Sequence, residues 1–168
     1  MTNSQLNVIL ATALDKLADD QAAFGRTLKR YALAQALTME EQMTPEDANI
    51  VIAAAALYEL NDESVNPADD GSKEFAPIVI TKYVTLILED LELPTFEVSA
   101  IGSLVAMQKH GIKIENELHR MLYDIDVLVA LNTPEAAEAD AKAAYETMTH
   151  PAAKRRLALL FGLEEENA

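Results

Sequence analysis

The residues able to do chemistry are few, and three of them fall where the chain pattern is most regular. Tyr58 and Glu59 close a run, Ile50 to Leu60, that is apolar all round and opens on Thr44-Pro45-Glu46-Asp47. That opening is a helix start signal, with a hydroxyl N-cap, proline in the first turn and carboxylates at the positive end of the helix dipole. A phenol and a carboxylate are thereby placed at the end of a central helix. Asp126 stands between Ile125 and Val127, where a carboxylate is either a buried structural acid or a site residue and needs a partner in both cases. Lys29 or Arg30 is able to be that partner. Asp124 lies two residues away, about 200° around a helix, so it cannot face the same ion and is expected to be a solvated charge. His119 and His150 are expected at the surface or in capping positions. Asn61-Asp62-Glu63 and Asp69-Asp70-Gly71 are rich in oxygen ligands but lack the alternating spacing of a calcium loop, so a solvated turn is expected. The five glycines are isolated and cannot build a phosphate-cradling loop.

The elements around these residues read as helices. Leu6, Ile9, Leu10, Leu14 and Leu17 recur at three- and four-residue steps, predicting a helix from near Ser4. Phe24, Leu28, Tyr31, Ala32 and Met39 predict a second over 22–42. After a loop of turn-forming composition, Asn61 to Ser72, the next helix carries Val79, Tyr83, Leu86, Ile87 and Leu91, with Pro77 tolerable near its first turn. Leu93-Pro94-Thr95 starts another, with Val98, Ile101, Leu104, Val105 and Met107 inward and Gly111 just past its end. Leu118, Leu122, Ile125, Leu128 and Val129 mark a helix over 115–131. Thr133-Pro134-Glu135 repeats the start signal. Thr149-His150-Pro151 opens a last helix that Gly162 closes. Short connections favour neighbouring antiparallel helices. The fold class expected is all-α, a single-domain antiparallel bundle of seven or eight helices over 1–163, followed by an acidic tail over 164–168.

Composition narrows the function classes. The 168 residues include no cysteine, which excludes disulfides and thiolate metal sites. The formal charge of −15 opposes direct nucleic-acid binding, whose affinity comes largely from Lys and Arg displacing counterions. No apolar run is long enough to cross a bilayer, and Met1-Thr2-Asn3-Ser4 begins no signal peptide, so a cytoplasmic protein is expected. Lys154-Arg155-Arg156 is the lone cationic cluster, and its expected use is a salt contact within the chain or with a partner.

Residues 28–131 resemble the HD-domain phosphohydrolases in the order of their elements. Ala53-Ala54-Ala55-Ala56-Leu57-Tyr58-Glu59 is similar to the family's apolar helix that ends in His-Asp. Leu122-Tyr123-Asp124-Ile125-Asp126-Val127-Leu128 is similar to the segment carrying the family's last aspartate ligand, matched by Asp126. Ile87 to Pro94 and Val98 to His110 are similar to the helices leading to its second histidine cluster. In this register the first family histidine falls at Lys29, the second at Tyr58, the aspartate at Glu59 and the later histidine at Gln108, with His110 two residues beyond. A protonated lysine cannot ligate a cation, and only Glu59 and Asp126 remain as ligands. Two carboxylates can hold Mg²⁺ weakly through water, but they do not make the His-rich centre that activates a nucleophile.

The resemblance therefore implies an HD-like domain with an eroded metal site, non-catalytic, with no cofactor expected. It would act as a ligand-binding or regulatory protein. A small anionic or nucleotide ligand would meet Lys29, Arg30, Tyr58, Glu59, Gln108, His110 and Asp126. Two alternatives stand beside it: a metal-dependent phosphohydrolase with a depleted divalent-metal site on Glu59 and Asp126, and an acidic protein that binds a basic partner surface or acts as a nucleic-acid mimic.

Overall fold

A computed structural model of the chain describes residues 1–60, 76–111 and 116–163, apart from the side chains of 76–80 and Tyr83. The loop expected over Asn61 to Ser72 and the acidic tail lie outside the described residues. What is described is all-helical: α1 (Asn3–Lys16), α2 (Gln21–Glu40), α3 (Pro45–Leu57), α4 (Ala76–Leu88), α5 (Thr95–Lys109), α6 (Glu117–Leu131), α7 (Glu138–Thr147) and α8 (Pro151–Phe161). A 3-10 turn, Glu89–Leu91, follows α4. No described helix is long and apolar enough to cross a membrane.

α3 is the hub. It packs against α1, α2, α5 and α6, and every residue from Ile50 to Leu57 is buried. The cause is visible in its composition: four consecutive alanines, Ala53 to Ala56, are fully buried. Side chains this small let neighbouring backbones come close on all sides, as a helix without a polar face requires. Thr44 caps it as expected, its hydroxyl accepting the Asp47 N–H at 3.2 Å, with Pro45 in the first turn. At the other end of the chain order, Gly162 closes α8 in the left-handed conformation (φ 63°). The Gly162 and Leu163 N–H groups then both reach back to the Ala158 carbonyl, a closure that the left-handed residue makes possible.

Three sequence expectations are corrected. The inward face of α2 is Ala23, Thr27, Arg30, Tyr31, Ala34, Leu37 and Thr38, whereas Leu28 and Met39 are exposed. Apolar periodicity pointed to the wrong stripe because the true one includes an arginine and two threonines. Leu86 on α4 is likewise 62% exposed, and Val84 and Leu88 are buried in its stead. Thr133-Pro134 starts a turn, closed by the Ala136 N–H on the Thr133 carbonyl, and α7 begins only at Glu138.

Candidate functional site

The buried arginine on α2 organises the inner polar cluster. Arg30 is 5% exposed. Its guanidinium donates to Asp126 Oδ1 on α6, from Nε at 3.1 Å and Nη2 at 2.5 Å, and from Nη1 to Glu59 Oε1 just past the end of α3. One turn earlier on the same face of α2, Arg26 forks onto Glu59, Nε to Oε1 and Nη2 to Oε2, both at 2.9 Å. The Tyr58 hydroxyl donates to Asp126 Oδ2 at 3.0 Å. The Arg30 Cζ sits 4.3 Å from the Tyr58 ring centroid, a cation over the negative face of a π system. Two guanidinium groups thus face two carboxylates, and each of the four carboxylate oxygens accepts at least one hydrogen bond from the protein.

Electrostatics follow from this geometry. Burial alone would raise the Glu59 carboxyl, but the bonds from Arg26 and the charge and bonds of Arg30 hold it below the ordinary carboxylate range. The Tyr58 phenol is driven far upward, first by burial and then by the adjacent Asp126 carboxylate, so it stays a neutral donor. The cluster is a closed set of charge-assisted hydrogen bonds that ties α2, α3 and α6 together.

Of the residues singled out from sequence, Arg30, Tyr58, Glu59 and Asp126 converge here. Lys29 is exposed, about 100° around α2 from Arg30, Gln108 is half-buried near the end of α5, and His110 is exposed at its C-cap. The α5 side chain bonded to this end of α3 is Lys109, whose ammonium donates to the Leu60 carbonyl. Sequence reading missed Arg26. The signal that finds it is the four-residue spacing to Arg30, which places two cations on one helix face.

A second polar cluster overturns the expectation for Asp124, which is fully buried. Its Oδ2 accepts the Thr149 N–H at 3.1 Å, the His150 N–H at 2.9 Å and the His150 Nδ1 at 2.7 Å. The other ring nitrogen, Nε2, lies 3.0 Å from Glu117 Oε1. Asp124 does face away from Asp126, as helix geometry demands. That face is covered, because α6 packs between α2 and α3 on one side and α7 and α8 on the other. His119 and His150 are both buried, and His150 does take a capping position, as the N-cap residue of α8. Burial lowers the His119 imidazole below its ordinary value. For His150 burial acts the same way, but the carboxylates of Asp124 and Glu117 outweigh it and the imidazole is raised. Two acceptors on one ring require two ring protons, which is the charged form.

Among the described residues, no group of three or more His, Asp or Glu is placed to hold a metal ion. Compared with protein-family models, with curated proteins and with solved structures, the chain matches none of them.

Proposed function

We propose that this is a non-catalytic, HD-like helical protein that works by binding a partner, with the Arg30 cluster as an internal strut. What supports the reading is the occupation of every oxygen of Glu59 and Asp126 by a protein donor. A divalent ion at this pair would have to displace the guanidinium group of Arg30, a cation that repels it. A small anion or nucleotide would have to separate Arg30 from both carboxylates, so the cluster is better suited to stability than to the ligand expected from Lys29, Arg30 and Tyr58. The formal charge of −15 supports a basic protein surface as the partner, since like-charged surfaces repel and opposite ones steer encounter.

The test is elemental analysis of protein grown in metal-replete medium, followed by calorimetric titration and phosphoester assays with Mn²⁺, Mg²⁺ and Fe²⁺. No stoichiometric metal and no turnover are expected. One equivalent of metal per chain, with turnover lost in both Glu59→Gln and Asp126→Asn, would replace this reading with that of a depleted phosphohydrolase.

A further inference from the structure

The last two helices are fastened to the rest of the fold by little apolar surface. α7 buries only Ala141, and α8 buries Ala152, Ala153, Leu157 and Ala158. Leu157 and Met148 are the large apolar side chains they bury, and alanine removes little area from water. The two helices pack on each other and on α6, and α8 also meets α2. Their connection from α6, residues 132–137, is exposed except for the half-buried Ala136. A unit with few buried apolar contacts behind an exposed connection opens at a lower free energy than the core it leaves.

The charged bonds that fasten this unit are one-sided: the body supplies carboxylates and the unit supplies donors. Glu41, at the C-cap of α2, accepts the Ala152 N–H at 2.6 Å. Beside it, Glu40 accepts Arg156 at 2.8 and 2.5 Å and lies 3.7 Å from Arg155. On α6, Asp124 takes the Thr149 and His150 N–H groups and one nitrogen of the His150 ring, and Glu117 takes the other. His150 is the one donor of this set able to lose its charge near neutral pH.

The two carboxylates on its ring are not equivalent. Asp124 is fully buried and is bonded only through Oδ2, since Oδ1 has no partner among the described residues. The Glu117 side chain is 62% exposed. The Nδ1 proton therefore stays with Asp124, and the proton that leaves is the one on Nε2, whose partner can turn to water. A neutral ring then presents a lone pair to the Glu117 carboxylate. Asp124 keeps its hydrogen bond but loses the cation that offsets its buried charge. These two carboxylates, both of α6, are the groups that act on the charge of the ring. Of the other charged residues close by in the packing or the chain, Glu41 of α2 is bonded to the Ala152 N–H, Glu146 of α7 is exposed, and Lys154 of α8 lies over the Tyr145 ring at 5.1 Å.

We propose that residues 138–161 form a strap, hinged at 132–137, that opens from α2 and α6 as one unit, and that the second proton on His150 is its latch. Opening frees Glu40, Glu41, Glu117 and Asp124 together. It is a property of the chain alone and does not depend on which partner the protein binds.

Native-state amide hydrogen exchange at a series of pH values, with intrinsic rates divided out, measures the opening. α7 and α8 are expected to exchange through a shared opening with a smaller denaturant dependence than the one that exposes α3. Between the ordinary imidazole value and the raised folded one, the opening constant is expected to rise by up to about tenfold per pH unit, the limit for one proton released. His150→Gln should remove that rise. Glu117→Gln, at an exposed position that leaves the core intact, should move it to lower pH. Glu40→Gln should raise the opening constant equally across this window, because a guanidinium group does not titrate there. Exchange of α7 and α8 only in one global step with α3 would overturn the strap. The latch would be overturned by a native opening constant that ignores pH, by a rise that persists in His150→Gln, or by one that stays in place in Glu117→Gln.

Discussion

Removing the guanidinium group of Arg30 should be among the costliest single changes to this protein. In Arg30→Ala, Asp126 keeps only the Tyr58 hydroxyl and Glu59 keeps only Arg26. Breaking a buried ion pair from one side costs about 3–5 kcal/mol, because a desolvated charge is left behind. The lower end applies here, since the Asp126 side chain is 25% exposed and Glu59 retains its forked partner. For a chain of this size about 3 kcal/mol corresponds to a fall in Tm of about 6–12 °C. Thermal melts and denaturant titration at neutral pH measure it. The mechanism makes a sharper demand: Arg30→Met, Asp126→Leu and Tyr58→Phe combined, with Glu59 left to Arg26, should recover to within about 1–2 kcal/mol of the native chain, because apolar replacement of a buried pair is often neutral. A loss below about 1 kcal/mol in Arg30→Ala, the size of an exposed surface pair, would refute the reasoning. So would a triple variant as unstable as the single one.

Stability should also fall on the alkaline side through His150. Its folded value is raised above the ordinary imidazole value, so its contribution is fully present below the unfolded value and is lost as pH rises through the folded one. Denaturant midpoints across that window should decline in the native chain and lose most of that decline in His150→Gln; equal slopes would contradict the pairing. Two glycines should respond in opposite directions. Gly25, inside α2 with nothing within 4 Å of an added Cβ, should gain about 0.5–1 kcal/mol as alanine. Gly102→Leu should lose about 1–3 kcal/mol by overpacking, since even a Cβ there would meet Thr81 Cγ2 at 3.1 Å and its backbone at 3.4 Å; thermal melts of both variants read the contrast.

Local signals in the sequence were strongest where one interaction decides the structure. Thr44-Pro45 set the start of α3, Gly111 and Gly162 took the positive φ expected of them, and the uniform apolar run placed α3 at the centre. The reading failed where burial and polarity part company. α2 turns Thr27, Arg30 and Thr38 inward and Leu28 and Met39 outward, and no hydrophobic period reports that, because the partners that make Arg30 tolerable lie 29 and 96 residues away. Asp124 shows the same limit. Helix geometry correctly set it opposite Asp126, but only the packing of α8 decides that the opposite side is interior. Thr133-Pro134 shows how weak a start signal is alone, since the same dipeptide serves a turn equally well.

The cation that joins α2, α3 and α6 is part of the chain. An exchangeable ion at a junction adds a mass-action term to stability, so the fold tightens or loosens with the free concentration of that ion. A guanidinium group carried on α2 has no dissociation step and keeps its charge through the range in which carboxylates and imidazoles titrate. Its effective concentration at the junction is fixed by the helix that bears it. This three-helix joint is therefore indifferent to chelators and to metal supply, and its failure mode is the unfolding of α2 itself.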